Sequence, residues 1–62
     1  MRYRITISTP EEYALANTQA DYSPKETTAF TFRADSDSEA RRIMKREVSR
    51  HPSWFKPALV EA

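Results

Sequence analysis

The sequence predicts a small α+β domain, in which a two- or three-stranded antiparallel sheet packs against one amphipathic helix. Three observations carry this. Met1, Tyr3, Ile5 and Ile7 alternate with Arg2, Arg4, Thr6 and Ser8. The segment from Thr27 to Ala34 alternates in the same way. The segment from Asp35 to Arg50, DSDSEARRIMKREVSR, instead repeats at the helical period. Period two with aromatic and β-branched residues marks a half-buried strand, and period 3.6 marks a helix with one apolar face. The expected order is ββα, or ββαβ if the tail also pairs.

Thr9-Pro10-Glu11-Glu12 follows the first strand as a helix-start signal. Thr9 can cap, Pro10 suits the first helical position, and Glu12 completes a capping box. Residues 13–16 can then form two helical turns or an irregular loop, and two turns are too short to hold without packing. Residues 17–25 are polar, contain Ser23-Pro24, and read as a loop. In the second strand, Thr28, Phe30, Phe32 and Ala34 share one face; Ala29, Thr31 and Arg33 share the other.

The main helix starts at a second capping signal, Ser36 with Glu39 three residues on. Ala40, Ile43, Met44, Val48 and His51 fall in one arc, which Glu47 interrupts. Ile43, Met44 and Val48 are expected to pack on Tyr3, Ile5, Ile7, Phe30 and Phe32. Pro52 ends the helix. The tail, with Trp54, Phe55, Leu59 and Val60, either adds a strand or lies across the core edge; Pro57 confines such a strand to a sheet edge.

The 62 residues allow one domain spanning residues 1–62. There is no cysteine and no glycine. The first excludes disulfides and thiolate metal sites and suits a reducing compartment. The second excludes glycine-rich phosphate loops and disfavours tight two-residue hairpins. Residues 1–9 lack the apolar block of a signal peptide, and no run approaches the roughly 20 apolar residues of a membrane span. A cytoplasmic protein without membrane contact is therefore expected.

The formal charge of +1 conceals segregation. Acids dominate residues 10–35, and bases dominate residues 36–56. On the helix, Arg42, Arg46 and Arg50 repeat every four residues with Lys45 beside them, outside the apolar arc. Like charges at this spacing cost a few tenths of a kcal/mol each. A partner that repays this cost is one reading of the stripe. A solvated face, eased by Glu39–Arg42 and Glu47–Arg50 pairs, is the other. Arg2, Arg4 and Arg33 project from the sheet face away from the helix and form a second candidate surface. His51 is the only histidine and has no second ligand or nucleophile placed by sequence, so neither catalysis nor a metal or other cofactor is expected.

The segment FTFRADSDSEARRIMKRE, a strand running directly into an acid-capped helix, resembles small bacteriophage accessory proteins, a class that includes inhibitors of host RNA polymerase. The resemblance covers about half the chain, and implies a compact inhibitor that docks on a host protein. The sequence reading is thus a non-catalytic binding module, an inhibitor or adaptor whose helix face meets a protein with an acidic surface. Nucleic acid bound through phosphates at the same face is the alternative partner, and a homodimer would gain core by association.

Overall fold

A computed structural model describes all of residues 1–62. The element order is β1 (Arg2–Ser8), α1 (Pro10–Thr18), β2 (Thr27–Arg33), α2 (Asp37–Arg50) and β3 (Phe55–Glu61). The strands form one sheet in the order β2-β1-β3, with β1 antiparallel to both neighbours. The small α+β fold is therefore present, and the tail supplies its third strand. β2 and β3 run parallel to each other with β1 inserted between them, which requires the long connection that α2 provides.

The hydrogen-bond phase of the sheet follows from its end. Met1 and Ala34 exchange two backbone bonds of 3.1 Å, and the Ala62 amide donates to the Arg2 carbonyl at 2.9 Å. Alternation then turns the amides of Tyr3 and Ile5 toward β2, opposite Phe32 and Phe30, and those of Arg2 and Arg4 toward β3. On β2 the backbone groups of Thr31 and Arg33 consequently face outward. On β3 the nitrogen of Pro57 faces outward as well, where its missing N–H costs no ladder bond.

Both outer strands carry bulges. Ile5 pairs with Phe30 while Thr6 pairs with Thr28, so Ala29 is the extra residue. This corrects the expected face of Thr28. The bulge shifts it to the side of Thr6 and Arg4, where its hydroxyl accepts a 3.3 Å hydrogen bond from Arg4 Nη1. On β3, Lys56 and Pro57 stand opposite Ile7, and Lys56 adopts φ of +51°. That left-handed residue takes a role glycine would fill at lower cost, and the chain has no glycine.

The core is narrower than the apolar pattern implies. Only 7 residues are buried: Tyr3, Ile5, Thr6, Ser8, Ala34, Ala40 and Glu47. Ile5, fully enclosed, sits between Phe30 and Leu59 across the sheet. Phe32, Ile43 and Leu59 pack around Tyr3, Ala34 and Ala40. Phe30, Met44, Val48 and Ile7 are only half-buried, because a single helix cannot cover three strands. α2 lies closer to β3 than to β2. The radius of gyration is 13.0 Å, against about 11 Å for a compact chain of this length. The molecule is a slab of 39 × 22 × 15 Å.

α1 is helical but peripheral, with no buried residue. Thr9 Oγ1 caps it by accepting from the Glu12 amide at 3.2 Å. The expected return bond from Glu12 is absent. Its carboxylate instead accepts from the Tyr22 hydroxyl and, at 3.2 Å, from the Lys25 amide, which ties the 19–26 loop to the helix. The Tyr13 and Phe55 rings pack edge to face with centres 5.4 Å apart, and Lys56 Nζ lies 5.5 Å from the Tyr13 ring centre.

Candidate functional site

The seven basic residues singled out by sequence separate onto two surfaces. Arg42, Lys45, Arg46 and Arg50 project from α2, and Arg2, Arg4 and Arg33 from the sheet side away from it. They stand on opposite sides of the sheet, so they cannot grip one small ligand together.

On α2, Ser36 Oγ accepts from the Glu39 amide at 3.2 Å and fixes the helix start. That start sets the helical phase, which turns Ala40 and Glu47 inward and Arg42, Lys45 and Arg46 outward. Arg42 and Arg46 flank a depression of ≈ 370 Å³ lined also by Glu39 and Ile43. The Glu39–Arg42 ion pair expected from the spacing does not form, since Glu47–Arg50, at 3.6 Å, is the only ion pair in the protein. Arg42, Lys45 and Arg46 thus have no ion-pair partner, while Arg50 is paired with Glu47. Glu47, the interruption in the apolar arc, is buried, and its Oε2 has no hydrogen-bond partner. A 3.6 Å contact to an exposed guanidinium attracts it without replacing a hydrogen bond.

On the sheet side, Arg2 stands directly opposite Arg33, and Arg4 opposite Thr31. Like charges opposed across strands are unfavourable, and no carboxylate relieves them. At the open end of β1 and β2, Arg2, Tyr3, Thr31, Phe32, Arg33 and Ala62 border a depression of ≈ 380 Å³. Cations and hydroxyls on β1 and β2 share this face with Ala58 and Val60 of β3, which stand opposite Thr6 and Arg4. The aromatic rings of Phe30 and Phe32, which a base-stacking platform would need, lie on the other.

His51 is exposed and stacks on Trp54 at 4.3 Å, outside the core that its place in the apolar arc suggested. It caps α2, its amide donating to the carbonyls of Glu47 and Val48. No three His, Asp or Glu side chains converge. Two polar pairs were invisible to sequence reasoning because they join distant segments. Tyr22 and Glu12 form one, in which the tyrosine pushes the carboxyl below its usual range and the carboxylate raises the phenol. Tyr3 and Asp37 form the other, at 2.6 Å.

No helix is long and apolar enough to cross a membrane. Comparison with protein families, curated proteins and solved structures finds no match to this chain.

Proposed function

We propose that the protein is a non-catalytic protein-binding module, an inhibitor or adaptor of the phage type, that docks an acidic surface through α2. The observation that carries this reading is the depression on α2 in which Arg42 and Arg46, neither held in an ion pair, stand with Glu39 around half-exposed Ile43. An apolar centre with a charged rim is the anatomy of protein interfaces. The charges steer encounter and select an acidic partner, and the burial of Ile43 holds it. A chain without cysteine suits a reducing compartment, so the reading is of a cytoplasmic inhibitor.

A second reading, nucleic acid held by its phosphates, is favoured by the absence of carboxylate partners for Arg42, Lys45 and Arg46. Salt separates the two. Phosphate contact weakens steeply between about 50 and 200 mM salt, whereas an interface with an apolar centre loses less. The test is to measure retention of protein from nuclease-treated bacterial lysate, and binding of labelled oligonucleotides, at both salt concentrations. Salt-tolerant protein retention supports the first reading. Oligonucleotide binding alone, lost at the higher salt, replaces it with the second.

A further inference from the structure

The free edge of β2 is a surface independent of the α2 face. We propose that it is an interface with a second copy of the chain, two β2 strands pairing antiparallel about Thr31 into one continuous sheet.

The backbone distinguishes the two edges of the sheet. β3 is guarded by Pro57, by the left-handed Lys56 and by their bulge, the devices that keep edges from pairing. β2 contains no proline, and its outward groups at Thr31 and Arg33 have no partner within the chain. The Ala29 bulge limits the open stretch to residues 29–33.

The side chains of this stretch are complementary to themselves. Pairing about Thr31 sets Phe30 opposite Phe32 of the second copy, twice, on the helix side. Both rings are half-buried and already stack on each other at 5.9 Å. Cross-strand aromatic pairs are among the favourable ones. On the other side Arg33 falls opposite Ala29, so no like charges oppose each other at the new seam. The two Arg33 residues end about 13 Å apart along the strands, beyond the Debye length of about 8 Å at physiological salt. Because α2 lies toward β3, the way to this edge is open.

Area points the same way. The chain exposes 4707 Å², against about 4,100 Å² for a monomer of its 7.2 kDa mass. The excess of roughly 600 Å² approaches the roughly 800 Å² per partner of a standard interface.

The test is the mass of the full chain by sedimentation equilibrium from micromolar to millimolar concentration, at low and at physiological salt. The expected result is a dimer of twice 7.2 kDa that strengthens with salt, because salt screens the like-charged copies. Thr31→Pro removes an outward N–H that no ladder bond within the chain uses, so the variant should keep its circular dichroism spectrum and remain monomeric. Thr31→Cys gives an independent reading. The chain has no other cysteine, so any disulfide joins two chains, and a bonded pair at about 5.5 Å suits one. It should oxidise to a dimer much faster than Thr18→Cys on α1. A monomeric wild type at millimolar concentration overturns the proposal. So does a folded Thr31→Pro variant that dimerises like wild type, or equal oxidation of the two cysteine variants. None of these outcomes bears on the α2 reading, which the Arg42, Lys45 and Arg46 substitutions test separately.

Discussion

Tyr3 and Asp37 join the central strand to the first turn of α2 through a 2.6 Å hydrogen bond between phenol and carboxylate. The bond spans 34 residues and locks the helix start over the sheet. Tyr3 also stacks on Phe32 at 5.8 Å, so one side chain fixes both the β1–β2 register and the position of the helix.

The carboxylate favours the neutral phenol, and together with burial it pushes the Tyr3 pKa from 10.0 up to about 12. The folded state therefore holds the proton more tightly than the unfolded chain. This stabilisation is complete below pH 10 and is lost as pH rises toward 12. Wild type should lose melting temperature across that window. Tyr3→Phe should melt lower at neutral pH and show no such alkaline decline from this site, as thermal scans from pH 7 to 12 would reveal.

Ile5→Ala should be the most damaging apolar truncation. Ile5 is fully enclosed, and the change costs about 3 kcal/mol, most of the stability of about 5 kcal/mol that so small a domain has. Leu15→Ala, on exposed α1, should stay within about 0.5 kcal/mol. Urea unfolding of the pair compares them directly.

Lys56 holds φ of +51° in a chain without glycine. Lys56→Gly should be more stable than Lys56→Ala by about 1 kcal/mol. Both variants lose the ammonium beside Tyr13, so the difference isolates the backbone contribution. Equal melting temperatures would show that the bulge is unstrained.

Thr6 Oγ1 and Glu47 Oε2 are buried without hydrogen bonds. Thr6→Val keeps the shape and removes the orphaned hydroxyl, and Glu47→Met replaces a buried charge with a flexible apolar chain. Each should stabilise by about 1 kcal/mol, measured by chemical denaturation. A loss in Glu47→Met would mean that its contact with Arg50 outweighs the desolvation of the carboxylate.

The strands and α2 were legible because their apolar periods are strong and their caps are local. Tyr3 and Ile5 alternate within one strand, and Ser36 reaches the Glu39 amide three residues away. The tail was ambiguous because Pro57 interrupts its pattern. It pairs because an edge position leaves a proline nitrogen harmless. The face of Thr28 was misread because a bulge at Ala29 leaves no mark in a run of β-formers. Glu12 was misassigned for a different reason: a carboxylate that can cap a helix can equally accept from a distant phenol, and Tyr22 supplied one. The basic residues were identifiable by type. Their division between two faces became visible only with the strand register, and the loss of Arg50 to Glu47 only with side-chain distances.

The proposed role of α2 is to present the surface that meets an acidic partner. Its most direct test is capture from nuclease-treated bacterial lysate with three baits: wild type, an Arg42/Lys45/Arg46→Ala variant, and an Arg2/Arg4/Arg33→Gln variant. The expected result is a protein retained by wild type and by the sheet-face variant but lost by the helix-face variant. Retention by the helix-face variant, with loss by the sheet-face variant, would contradict it and move the binding surface to the opposite side of the molecule.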